Sequence, residues 1–154
     1  MLRRLTVVGA AIVSAVVVAG VLLARTTAPL PLTNLVDVPI EHKSSRFDYE
    51  SIDPATGRLF IADLAGSRVL VFDTRIDRFV RVIEGVSHVH GVLAVPDRRM
   101  IYASATGNDQ VVASDANTLA IVWRAPAGHY PDGMAWVPTP AKLYVSMNMA
   151  TALE

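Results

Sequence analysis

Apolar and polar positions along most of this chain alternate with a period of two, in short runs broken by Gly, Pro, Asp and Asn. A period of two predicts strands rather than helices. The runs place strands near 48–53, 58–62, 67–73 and 78–84, then near 89–95, 100–105, 109–115 and 119–125, then near 132–137 and 142–147. Between the first two strands, Asp53-Pro54-Ala55-Thr56-Gly57 offers a proline for the first corner of a turn and a glycine for positive φ. Gly66 and Gly107-Asn108 are expected to serve the same purpose between the second and third strands. Segment 33–41, TNLVDVPIE, reads as the fourth strand of a preceding unit, with Val38 matching Val80 and Ile40 matching Val82.

The runs are copies of one another. Pro54, Pro96 and Pro138 lie 42 residues apart, and so do Leu59, Ile101 and Leu143. Phe60, Tyr102 and Tyr144 follow the same spacing, as do Val69, Val111 and Leu153, the pair Asp73 and Asp115, and the pair Gly91 and Gly133. Four strands in a unit of about 40–45 residues form the pattern of a β-propeller blade. The wording DPATGRLFIAD at 53–63, RVLVFDT at 68–74, VHGVLAVP at 89–96 and PDGMAWVP at 131–138 resembles YVTN-type β-propeller repeats of the YncE-like kind, over about residues 33–154. That resemblance implies an all-β fold of about two and a half four-stranded blades, which is an incomplete ring. A propeller closes with about four to eight blades, each burying its faces against two neighbours. The third copy stops inside a blade, so truncation is expected over assembly with further copies.

The first thirty residues break the pattern. Leu5–Ala24 carries no charge over twenty residues, with Arg3 and Arg4 before it and Arg25 after it. Twenty apolar residues in a helix span roughly 30 Å, the thickness of a bilayer core. Residues 1–25 are therefore expected to be a transmembrane anchor, with a cleaved signal segment as the competing reading. Residues 26–32, with two prolines, form a linker, and residues 33–154 form the partial propeller. The arginine pair at the N-terminus keeps that end inside and sends the rest out of the cytoplasm. The expected location is the cell membrane by a single pass, or secretion if the segment is cleaved.

Composition narrows the chemistry. There are no cysteines, which excludes thiolate catalysis, disulfides and covalent c-type haem. Beyond residue 30 there are 11 Lys and Arg against 14 Asp and Glu, a formal charge near −3 without a basic patch, so nucleic acid is not an expected partner. No nucleotide loop, GxSxG elbow or HExxH is present. No cofactor is expected.

The candidate chemistry sits in the loops. In antiparallel blades the inter-blade links share a face with the turns between second and third strands. That face should gather Asp63, His88, His90, Asn108, Asp109, His129, Tyr130 and Asp132. His90 and Asp132 occupy one repeat position, which Asp48 fills a blade earlier. His88, His90, His129, Tyr130 and Asp132 are the candidate ligand-binding residues. Histidine and carboxylate also suit Zn, Cu or Ni and acid–base work, with no metal identified. The plainer reading has His90 and Asp132 bonding backbone where one blade enters the next, with Gly91 and Gly133 allowing a close approach. Asp73 and Asp115 read as turn caps, Trp123 and Trp136 as packing between blades, and Lys43-Ser44-Ser45-Arg46 as a solvated run. The functional expectation is a non-catalytic module for ligand or protein binding. A metal- or cofactor-dependent propeller oxidoreductase is the alternative, because propellers host unrelated activities.

Overall fold

The structure is a computed structural model that describes residues 35–40 and 43–148. The chain divides into two compact units, Met1–Asp37 and Val38–Glu154, and the account below concerns the second. The expected span Leu5–Ala24 lies outside the described residues. Among the described residues no helix is long and apolar enough to cross a membrane.

Ten strands form three antiparallel sheets. β1 (Phe47–Asp53), β2 (Arg58–Asp63), β3 (Arg68–Asp73) and β4 (Arg78–Ile83) pair in sequence order. β5 (Val89–Val95), β6 (Met100–Ala105), β7 (Gln110–Asp115) and β8 (Ile121–Pro126) repeat that order. β9 (Pro131–Val137) pairs with β10 (Lys142–Met147). These are two four-stranded blades and a two-stranded third, and each strand span falls within two residues of its expectation. Residues 35–40 are the exception, because they form no strand. A blade's fourth strand needs the edge of a third strand, and none precedes it among the described residues.

The turns keep one left-handed corner but not every cap, since Val95 stands where Asp53 does a blade earlier and offers no side-chain cap. Asp53 caps the first turn by accepting the Ala55 N–H at 2.9 Å and the Thr56 hydroxyl at 2.8 Å. Gly57 takes φ +68° there, while its repeat partners Arg99 and Ala141 take 54° and 63°. The left-handed corner is thus kept where glycine is not, at a modest steric cost. Between the second and third strands the left-handed residues are Ser67 (φ 54°) and Asp109 (φ 51°), not the expected glycines. Gly66 and Gly107 matter for space: a Cβ on Gly107 would stand 2.7 Å from Nδ1 of His88.

Asp73 and Asp115 cap their turns as expected. Asp73 accepts the Arg75 N–H, and Asp115 accepts those of Asn117 and Thr118, all within 2.9 Å. The Arg75 side-chain and backbone hydrogen bonds hold the Asp73 carboxyl below its ordinary pKa, and the two backbone N–H groups do the same for Asp115.

The core lies between blades. Phe60, Ala62, Val69 and Val71 on the first blade meet Ile101, Ala103 and Val112 on the second, all buried. Tyr102, Val111 and Ala113 on the other face of the second blade meet Met134, Trp136, Leu143 and Val145 of the third.

Candidate functional site

The first strand of each blade is irregular at one repeat position. Its pairing slips between Phe47 and Glu50 in β1, between Val89 and Val92 in β5, and opposite Val145–Met147 in β9. The residues inside the slips are Asp48-Tyr49, His90-Gly91 and Asp132-Gly133. A bulge leaves a residue outside the ladder and re-aims its side chain. In β5 the released Gly91 N–H donates to the buried Ser104 hydroxyl at 2.6 Å. Gly91 must be glycine, because a Cβ would run into the carbonyl of Asp132 on the next blade. Gly133 differs from that expectation: its Cβ would meet Ser146 Oγ at 3.4 Å and the Tyr49 hydroxyl at 3.5 Å, ordinary contacts.

The bulge turns His90 inward, where it is 7% exposed. Its Nδ1 lies 3.1 Å from the His88 carbonyl and 3.1 Å from Thr106 Oγ1. The Thr106 hydroxyl donates to the Pro131 carbonyl, so both neighbours of Nδ1 act as acceptors. The network thereby assigns the proton of the neutral ring to Nδ1. Nε2 offers a lone pair, and the Tyr130 hydroxyl donates to it at 3.0 Å. Asp48 Oδ2 stands 3.8 Å from the same nitrogen. A carboxylate from the first blade, an imidazole from the second and a phenol from the next link therefore converge.

Beside this junction is a cavity of about 360 Å³ lined by Arg46, Leu64, His88, His90, Thr106, Gly107 and Tyr130. Its lining follows the repeat. Arg46, His88 and Tyr130 share one repeat position at intervals of 42, and Leu64 and Thr106 share another. His88 and Tyr130 both sit in the left-handed region, at φ 43° and 54°, which is uncommon without glycine. Each is held by the turn of the blade before it. Ser67 Oγ accepts the His88 N–H at 3.1 Å, and Asp109 Oδ1 accepts the Tyr130 N–H at 2.9 Å. The Tyr130 N–H, then the His129 ring, hold the Asp109 carboxyl below its ordinary pKa.

Of the five candidate residues, His88, His90 and Tyr130 meet at the cavity. His129 does not; it is exposed, with Nδ1 3.4 Å from Asp109 Oδ2. Asp132 is half-buried on β9 outside the lining, and its Oδ1 is buried without a hydrogen-bond partner. Among the described residues no three His, Asp or Glu side chains gather as a metal site would require.

The solvated-run reading of 43–46 holds for Lys43, Ser45 and Arg46, which are exposed, and fails for Ser44. Ser44 donates to the fully buried Asp63, which also accepts the Gly66 N–H and the Arg68 guanidinium at 2.8 Å. Arg46 lines the cavity. Its register with His88 and Tyr130 was the available signal, and Thr106 was visible only as a partner of Leu64.

No family model matches the chain. The uncharacterised protein YncE of Salmonella typhi and that of Salmonella typhimurium are each 32% identical to it over 104 residues. The match takes in 68% of this chain, which spans 29% of the length of those relatives. Among solved structures, a chain of Kuenenia stuttgartiensis hydrazine synthase superposes with a TM-score of 0.61 at 18% identity, over 73% of this chain and 33% of that one. That likeness speaks for the fold alone.

Proposed function

We propose that this YncE-like β-propeller chain is a membrane-tethered module whose loop face binds a small ligand or a protein partner outside the cytoplasm. The β-propeller character carries the scaffold. The single observation that carries the binding role is the convergence of Arg46, His88 and Tyr130, from three successive links, on one cavity of about 360 Å³. That volume suits a small molecule, and a concave site with a few convergent polar groups is the usual form of one. The tether rests on the uncharged run Leu5–Ala24.

Two experiments test the reading. Carbonate extraction of expressing cells should leave the full-length chain in the pellet; a soluble product lacking its first 25–30 residues would replace the tether with a cleaved signal and secretion. A fragment screen on the full-length protein in detergent, followed through the His88 and His90 ring signals, should find compounds that shift both. A screen that moves neither would remove the binding role. The cofactor-dependent oxidoreductase reading is secondary. The paired cavity histidines favour it, while His90 has both ring nitrogens engaged by protein groups.

A further inference from the structure

We propose that the cavity at the His90 junction receives an oxyanion, the carboxylate or phosphate group of a small ligand, with Arg46 as its charged anchor. The proposal rests on reading this cavity as a ligand site and names the chemistry of what enters it. Arg46 is the one formal cation in the lining. Arg58, Arg68, Arg75 and Arg124 each donate to a carbonyl or a carboxylate. The Arg46 guanidinium has no such partner among the described residues; only its backbone carbonyl is engaged, by the Ala65 N–H.

The other polar groups are compatible with an anion. The His88 ring makes no hydrogen bond among the described residues and lines the same volume. The Tyr130 hydroxyl has one proton, now given to Nε2 of His90, and can turn it to a ligand oxygen. Two carboxylates flank the lining without entering it: Asp48, 3.8 Å from the His90 ring, and Asp109, which accepts the Tyr130 N–H at 2.9 Å. Leu64 gives a buried apolar floor, while Arg46 and His88 are exposed, so a ligand oxyanion would meet the guanidinium at the open mouth of the cavity. A planar guanidinium fits the two oxygens of a carboxylate or phosphate side by side. A neutral ligand would leave that fork unmatched, and a cation would be repelled by it.

The test titrates the full-length protein with succinate, with inorganic phosphate and with neutral succinamide. Calorimetry reads affinity, and the His88 and His90 ring signals read location. Succinate or phosphate should shift both histidines saturably, and the better of the two identifies the oxyanion. Succinamide should not shift them. R46Q should weaken binding about tenfold or more, a difference typical of losing one charge-assisted pair. R46K should recover part of it, and R98Q, at the opposite end of the strands, should change nothing. Unmoved histidines under both anions would overturn the proposal, and the wild-type titration decides this even if R46Q folds poorly. Binding unchanged in a folded R46Q would overturn it as well. If neutral compounds shift the histidines and the anions do not, the oxyanion proposal fails while the cavity remains a ligand site. If nothing shifts them, both readings fail.

Discussion

The two blade-to-blade interfaces are built from the same repeat positions and end in different states. At the first, Phe60 and Val71 face Ile101 and Ala103 and are buried. At the second, Tyr102 and Ala113 face Leu143 and Val145, and the contact stops short. Beyond it lies a cleft of about 410 Å³ bounded by Arg98, Met100, Tyr102, Trp123, Trp136, Ala141 and Leu143. Trp136 stacks on Tyr102 at 6.3 Å with 15° between the rings, and Arg98 lies 5.4 Å over Trp136. Trp123, on the outer strand, is 40% exposed. The cause is coverage. Four strands meet four at the first interface and two at the second. The polar links differ too. Arg58 donates to the Ala116 carbonyl and Ser51 accepts the Ala94 N–H across the first interface. Their repeat partners across the second are Met100 and Leu93, which only pack. Both buried side-chain polar atoms left without a partner among the described residues, Asp132 Oδ1 and Trp136 Nε1, lie on β9. A blade's sequence thus fixes which face it offers, and the neighbour decides whether that face is dry.

The sharpest test of this difference is one aromatic position in three copies. Phe60 is 0% exposed, Tyr102 9% and Tyr144 55%. Phe60→Ala should cost about 3–5 kcal/mol, as for a large buried ring. Tyr144→Ala should cost about 0.5 kcal/mol or less. Tyr102→Ala should fall between them. Denaturant unfolding of the full-length protein reads all three, and equal costs for Phe60 and Tyr144 would mean that the third sheet's outer face is covered.

The glycines come next. The carbonyl that stands against Gly91 belongs to the following blade, while Gly133 has only side chains nearby. Gly91→Val should cost about 2–3 kcal/mol, the upper part of the usual overpacking range, and Gly133→Val about 1 kcal/mol or less. The larger cost at Gly133 would place a neighbouring backbone against the third blade. Ser104→Ala is milder, at about 1–2 kcal/mol, because the buried Gly91 N–H loses its acceptor. Ser146, the repeat partner, donates to the Gly133 carbonyl at 3.2 Å in an exposed setting, and its removal should be close to neutral. A Ser104→Ala variant as stable as the wild type would show that the bulge keeps its N–H satisfied another way.

Much of this geometry was legible because strand pairing writes itself into a period of two and blades into a period of 42. Asp115 as a turn cap followed from its side chain's reach to its own backbone. What failed had no local signature. Gly57 suggested that glycine was required at its corner, yet Arg99 and Ala141 hold the same conformation because the flanking strands impose it. Segment 35–40 has the composition of a strand but no edge to pair with among the described residues. Ser44 looked solvated because its partner, Asp63, comes from the second strand, and Arg46 is exposed as read but lines a cavity built with later blades. His90 lies at the blade junction, and its tautomer depends on Thr106 and Tyr130, sixteen and forty residues away.

The smallest predicted effect separates the two links that position the cavity residues. The His88 N–H rests on a hydroxyl, Ser67, and the Tyr130 N–H rests on a carboxylate, Asp109, at the same repeat position. Asp109 has its folded pKa lowered from 3.8, first by the Tyr130 N–H and then by His129. A carboxyl with a lowered folded pKa contributes stability that is complete above its unfolded value and is lost as pH falls through the folded one. The Tyr130 link should therefore loosen only below about pH 3.8. The His88 link carries no titrating acceptor and should hold through that window. Amide exchange at the two N–H groups, compared across it, measures the difference directly, with protection at Tyr130 falling first. Asp109→Ser copies Ser67, which already holds a left-handed backbone with φ 54°. That variant should make Tyr130 as indifferent to acid as His88. If both amides lose protection together in the wild type, global acid unfolding governs them, and the local difference between the two links has no consequence for stability.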